Sequence, residues 1–427
     1  MVIRDLQQSS PLGGILLPPH ANDAYFQRKT KSRFKVDRIR SYFDVLIRRR
    51  MIDNLTRCTQ CSSLKLSMRR SAWRLKAKRG RLSTKRAKEV TEKMFKARIL
   101  YHAHLKTIRL ERTIVKTLCE MSRSKDDDVT VILMDGMSNR HSKLPIMPSR
   151  PKTICDSLRV PLGLDTCQFA LKHESRKFVN HVYCQLTGKY SSDSSYILST
   201  FYDSITKLPS IPSHLVLVLD NCAVNKSAIF LAGLSICLAK SPVMQKITLL
   251  FMTTGHTHAT VDASFGVMAN KLTTAELMDP DEFCDFLKTQ KSISSVSTDH
   301  TVYNFTDLHP HMHLWKYRSE CRQLILIKND KDRVEWGGAS ELSSNELFRI
   351  ENDISTSEVF KETFDPTKYL PKIVLPAASE KCRKDIETLL EKGGSFFDEK
   401  NGLSFQNHLS NYGHKSEFYR EMWRIQI

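Results

Sequence analysis

Two short hydrophobic runs end in aspartate, and a third ends in a histidine pair followed by another aspartate. Residues 129–134 lead into Asp135-Gly136, and residues 215–219 lead into Asp220-Asn221. Residues 247–252 lead through Thr253-Thr254-Gly255 to His256-Thr257-His258, with Asp262 four residues further on. Three converging acids cannot all stay ionised cheaply, because each raises the pKa of the others; a divalent cation removes that cost. Mg²⁺ and Mn²⁺ favour a few hard oxygen ligands with coordination positions left for water and phosphate. Two such ions can activate a nucleophile and stabilise the leaving oxygen of a phosphoryl transfer. The expectation is therefore a metal-dependent catalytic site on Asp135, Asp220 and Asp262. Singly, each aspartate also fits a helix cap or a turn; the joint pattern carries the expectation.

His256 and His258 follow a glycine that permits an abrupt turn. In an extended segment, side chains two residues apart point the same way. Both rings could then ligate a metal, contact a phosphate or stabilise transition-state charge. The plainer reading is a strand-end turn with one histidine bonded to backbone. A zinc metallohydrolase built on this pair is a weaker alternative, since such sites need an Asp-His immediately downstream, where Thr260-Val261 stand.

The elements that must position these residues can be read from periodicity. Continuous β-rich runs of this length predict strands buried on both faces of a parallel or mixed sheet, and such sheets place their chemistry at strand ends. A strand at 129–134 precedes a Pro-rich loop. Strand-like runs follow near 167–172 and 178–186, then a helix near 194–208 and the 215–219 strand. A helix near 225–240, the 247–252 strand and a helix near 259–272 complete the alternation. Three early strands followed by alternating helices and strands is the order expected of a ribonuclease-H-like α/β fold, a mixed sheet flanked by helices; a doubly wound three-layer fold competes. Residues 324–328, 334–336 and 377–396 suggest a small C-terminal α+β appendage. The spacing of Val90, Met94, Ala97, Tyr101, Ile108, Val115 and Leu118 predicts one long helix over about 84–121, whose stripe permits self-association. The organisation so read is a flexible leader (1–26), a basic helical arm (27–125), the sheet domain (126–295) and the appendage (296–427).

The net charge of the 427 residues is +20, and its distribution is uneven. Residues 27–112 hold 28 Lys or Arg against six acids, a net +22, leaving −2 for the rest. Such density favours polyanions through counterion release and long-range attraction; the bland alternative is a solvated basic helix. The candidate nucleic-acid contacts are Arg48, Arg49, Arg50, Arg69, Arg70, Lys76, Lys78, Arg79, Arg81, Lys85 and Arg86, and the partner expected is DNA. The same clusters would suit nuclear import. Eleven cysteines without framework spacing predict buried thiols in a reducing, intracellular compartment. No signal peptide is evident and no apolar run approaches bilayer length, so no membrane partner is expected. Cys58-x-x-Cys61 is half of a zinc knuckle. His104 would complete it as a structural Zn²⁺ site; two ordinary buried thiols is the stronger reading.

Four segments in order, Leu133-Met134-Asp135-Gly136-Met137, Leu219-Asp220-Asn221-Cys222 with Asn225-Lys226, Gly255-His256-Thr257-His258, and Asp262 with Phe265, resemble a transposon-derived, integrase-like domain family of eukaryotic mobile elements. The resemblance runs from about Arg57 to Leu272 and includes His104-Leu105 and Glu111-Arg112. It implies a DDE-type, ribonuclease-H-like nuclease or transposase that cuts and joins DNA with Mg²⁺. Asp135 and Asp220 would be the paired metal carboxylates and Asp262 the third. This chain departs from the pattern twice: Ala259-Thr260 and Ser138 stand where relatives commonly carry acids. Should either acid be the third ligand, this chain would bind DNA without cutting it.

Overall fold

The strand that ends near Asp135 forms the centre of the largest sheet. In the computed structural model, residues 15–17, 47–49, 58–77, 83–124, 128–171, 178–253, 260–313, 318–329, 331–340, 342, 357–376 and 378–410 are described. The chain divides into two units, Met1–Met94 and Phe95–Ile427. The first holds a short parallel pair, β1 (Ile15–Leu17) and β2 (Ile47–Arg49), and helix α1 (Thr59–Ala77). The rest of the arm's expected short helices lie outside the described residues. Helix α2 (Thr84–Met121) has the bounds that the apolar spacing predicts and runs through the division. Its buried stripe includes His104 and Glu111 beside Ala97, Ile108 and Leu118.

The second unit is built on β3 (Val129–Met137), β4 (Lys143–Leu144), β5 (Val160–Phe169), β6 (Val179–Leu186), β7 (His214–Leu219) and β8 (Lys246–Phe251). Helices α3 (Ser194–Ile205), α4 (Ala228–Lys240), α5 (Thr260–Leu272) and α6 (Pro280–Lys288) alternate with the later strands. Beyond these come β9 (Ser295–Ser297), β10 (Tyr303–Asn304), β11 (Gln323–Lys328), β12 (Val334–Ala339), β13 (Ser357–Glu358), β14 (Lys372–Ile373), α7 (Glu380–Gly393) and α8 (Glu399–Ser410). The ten-stranded sheet has the order β13-β12-β11-β8-β7-β3-β5-β6-β9, with β4 on β5. β7 runs parallel to β3, and β8 parallel to β7; β5 is antiparallel to β3 and to β6. One face packs on α3 and α4 through Leu198, Phe201, Phe230 and Leu234. The other packs on α2, α5 and α7 through Leu118, Phe265, Met268 and Leu389. This is a mixed α/β architecture.

Two expectations need correction. The strand expected at 167–172 runs Val160–Phe169 instead. The Pro-rich spacing hid its start, but Pro161 sits at the strand's beginning opposite Lys143 of β4, where a missing N–H is tolerated. The C-terminal appendage does not stand apart, because β11 hydrogen-bonds antiparallel to β8 and carries β12 and β13 onto the same sheet. Leu324, Ile325 and Leu326 are all buried, which an edge hairpin with a solvent face could not satisfy. Of the C-terminal elements, the 377–396 helix is α7, begun by the Ser379 side chain accepting the Cys382 N–H.

One buried ion pair ties α2 to the sheet. The Glu111 carboxylate accepts from Arg322 Nη1 at 2.9 Å, from the Thr253 hydroxyl at 2.7 Å and from the Thr253 N–H at 3.1 Å. Thr253 follows β8, so this network fixes the segment entering residues 254–259. Removing one partner of such a pair strands the other, at a cost of about 3–5 kcal/mol. Glu111→Ala is expected to lose about 3 kcal/mol in urea unfolding, because Arg322 keeps some water access. Glu358→Ala, which breaks the more exposed pair with Arg333, is expected to cost under about 1 kcal/mol.

Candidate metal-dependent active site

Parallel register sets the geometry. Leu133 of β3 pairs with Val218 of β7. Asp135 lies two residues further along β3, and Asp220 is the residue after β7 ends at Leu219; both line one cavity. Asp262 sits in the first turn of α5, which packs against β3. The Thr260 hydroxyl donates to the Gln168 side chain on β5, which fixes the helix start near that aspartate. All three aspartates are half-buried. His256 and His258 lie outside the described residues.

The loop after β7 is held by two neighbours in the sequence. Asn225 Nδ2 donates to the Asp220 carbonyl at 3.0 Å. The Lys226 ammonium donates to the carbonyls of Ser319 and Cys321 at 2.9 and 2.6 Å, over the Phe251 ring. Lys226 is thus a positioning residue tied to backbone.

The acids act on one another electrostatically. Burial first, then the Asp262 charge, with smaller pushes from Asp220 and Asp165, raises Asp135 to about 7; the Gly136 N–H opposes this. Asp220 is raised by burial and by Asp262, against the Asn221 N–H. Among the described residues, however, the oxygens of the three aspartates are not gathered within 4.8 Å of one another. The donor set fits a hard cation: oxygen ligands, with no Lys, Arg or His among the described residues that line the cavity beside Asp135 and Asp220.

The sequence reading missed Asp165. It pairs across the strands with Gly136, and a Cβ at position 136 would lie 3.0 Å from its Oδ1. Glycine there leaves room for the carboxylate. Burial raises Asp165 to about 6. The signal for it lay in a single acid inside an alternating apolar strand, hidden once that strand was started seven residues late.

Of the basic candidates, Arg69, Arg70 and Lys76 are exposed on α1, and Lys85 and Arg86 are exposed at the start of α2. Arg48 and Arg49 belong to β2. Arg50, Lys78, Arg79 and Arg81 lie outside the described residues. Cys58 and Cys61 are buried at the start of α1, where Cys58 Sγ accepts the Cys61 N–H at 3.5 Å. Burial and the neighbouring Cys58 raise the Cys61 thiol. His104, on α2, is buried and held below the usual imidazole range by that burial. No described helix is long and apolar enough to cross a membrane.

A folded-state pKa near 7 for Asp135 means that the folded protein holds this proton more tightly than the unfolded chain. That stability is complete below about pH 4, the ordinary carboxylate range, and is lost as pH rises through 7. Without divalent ions, urea-unfolding stability is expected to fall by a few kcal/mol (order of magnitude) between about pH 4 and 8. Asp135→Asn should flatten that decline and melt above the wild type at pH 8 in EDTA.

Residues 168–337 match a family described as a domain of unknown function (DUF7869). That stretch is similar to the family; it includes Asp220 and Asp262 and begins after Asp135 and Asp165. No curated protein matches the chain. No solved structure matches it.

Proposed function

We propose that the chain is a transposase- or integrase-like protein that cleaves or joins DNA phosphodiesters with Mg²⁺ or Mn²⁺ held by Asp135, Asp220 and Asp262. The observation that carries this reading is that Asp135, near the end of β3, and Asp220, just past the end of the adjacent parallel strand β7, line one cavity, with the Asp262 charge acting on both. The order β6-β5-β3-β7-β8, with β3 central, supports a ribonuclease-H-like sheet. When bound, the metal supplies Lewis-acid stabilisation of phosphoryl oxygens and a hydroxide-like nucleophile. The chain's own residues do the positioning: Asn225 and Lys226 hold the Asp220 loop, Glu111 and Arg322 hold the end of β8, and Gln168 holds the start of α5. The exposed basic residues of α1 and early α2 serve phosphate contact, and a nuclear location follows from that role.

With Mn²⁺ or Mg²⁺, the protein is expected to nick or join element-end DNA, and Asp135→Ala and Asp220→Ala should each abolish the reaction in a gel assay. Activity that survives both changes discards the enzyme. A second reading, DNA binding without turnover, is favoured by Ser138 and Ala259-Thr260 standing where relatives carry acids. It expects salt-sensitive binding that is indifferent to both changes, with no cleavage. Under either reading, Arg69→Gln and Arg70→Gln should reduce the slope of log affinity against log salt by about 1 for each phosphate no longer neutralised.

For the first unit we propose a structural Zn²⁺ with Cys58 and Cys61 as thiolate ligands, since both sulfurs meet at one helix start. Neutral His104 is the third donor that the sequence suggests. Elemental analysis is expected to find one zinc per chain, lost in Cys58→Ser and Cys61→Ser and retained in the exposed control Cys155→Ser. His104→Ala tests the third donor separately. Zinc-free wild-type protein refutes the proposal.

A further inference from the structure

Between β3, β5 and α3 lies a cavity of about 180 Å³. That volume has room for several water molecules. Its lining includes Asp135, Gly136, Asp165, Tyr196, Asp220 and Asn225, and no Lys, Arg or His among the described residues. Among those residues, the acids meet this space without a cation to balance them.

In the same lining Asn225 Oδ1 has no hydrogen-bond partner among the described residues, and its residue is 7% exposed; the Tyr196 hydroxyl, in a residue 2% exposed, is directed at Asp165. A buried polar atom left unmatched costs about 1–3 kcal/mol, so an orphaned acceptor beside that pair points to a ligand. For Asn225 the orientation is fixed, because its Nδ2 donates to the Asp220 carbonyl and leaves Oδ1 as an acceptor. Asp165 adds the charge. Its strand position opposite Gly136 places the carboxylate where a larger residue at 136 would collide with it. Every donor in this set is a hard oxygen, the type that Mg²⁺ and Mn²⁺ take while keeping several waters.

We infer that Asp165 anchors a second divalent cation in this cavity, with Asn225 Oδ1 and the Tyr196 hydroxyl serving that ion or its waters, separate from an ion on Asp135, Asp220 and Asp262. This goes beyond the catalytic reading and stands on different donors. Burial of Asp165, which lifts its carboxyl toward neutrality, is the cost that such an ion would offset.

The test is titration of the full chain with Mn²⁺, free ion being followed by electron paramagnetic resonance, without nucleic acid. Wild type is expected to bind two ions per chain. Asp165→Asn, which keeps the shape of the side chain, should weaken one of them at least tenfold and spare the other. Asp262→Asn should do the converse. Tyr196→Phe should weaken the Asp165 ion severalfold at unchanged stoichiometry, and it carries the test alone if circular dichroism shows Asp165→Asn misfolded. Two ions unaffected by Asp165→Asn, or by Tyr196→Phe in that event, overturn the inference. One ion sensitive only to Asp262→Asn overturns it and leaves the catalytic reading standing. One ion sensitive only to Asp165→Asn keeps it and removes the catalytic reading. No bound ion overturns both.

Discussion

Like charges held at one strand edge are the constraint from which the rest of the second unit follows. Asp135, near the end of β3, and Asp220, just past the end of the adjacent parallel strand β7, line one cavity, and Asp262 is added by the helix after the next strand. Burial first, and then repulsion from Asp262, favours the protonated form, and Asp135 is pushed up to about 7. A fold that tolerates this must fix the backbone independently of the acids. It does so with bonds that end on backbone or on buried partners, namely Asn225 on the Asp220 carbonyl, Lys226 on two carbonyls, and Glu111 on Thr253 and Arg322. None of these bonds uses an Asp135, Asp220 or Asp262 carboxylate; the Asp135 carboxylate itself accepts the Gly136 N–H at 2.8 Å.

That division of labour explains why motif residues that look alike in the sequence differ in role. Asn225 and Lys226 follow Asp220 closely, yet the lysine points its charge into carbonyls, where a phosphate could not displace them without opening the Arg318–Cys321 segment. Glu111 lies far away in sequence and faces Thr253 across a helix–sheet contact. Local spacing cannot reveal such a pairing, because the two residues are 142 positions apart.

The long helix and the strands at 129, 179, 214 and 246 were legible, since continuous apolar runs and three-to-four spacing are local signals that burial does not alter. Strand β5 was legible only in its second half. Its first half alternates, with Pro161 and Gly163 among the exposed-side positions, and that pattern reads as loop. Missing it concealed Asp165. The attachment of β11 to β8 was illegible for a different reason: the short run 324–328 says that a strand exists but not which edge it joins, a choice made by the apolar edge of β8. His104 was named as a possible metal ligand and Glu111 only within the resemblance; the tie of Glu111 to Thr253 and Arg322 was hidden because the stripe of α2 was judged from its apolar members.

The charge distribution has to be considered with the acids. A cavity edge bearing Asp135, Asp165 and Asp220 repels a phosphate backbone, and no basic side chain of the described residues lines it. A polyanion could reach it only with cations in place at the acids and attraction supplied from elsewhere in the chain. The +22 of residues 27–112 is the one concentration of charge able to supply that attraction, acting over about a Debye length and weakening with salt. Capture and chemistry would thus be assigned to opposite charges in separate stretches of the sequence. Salt should then weaken capture, while divalent ions should govern the acids, and the two dependences need not move together.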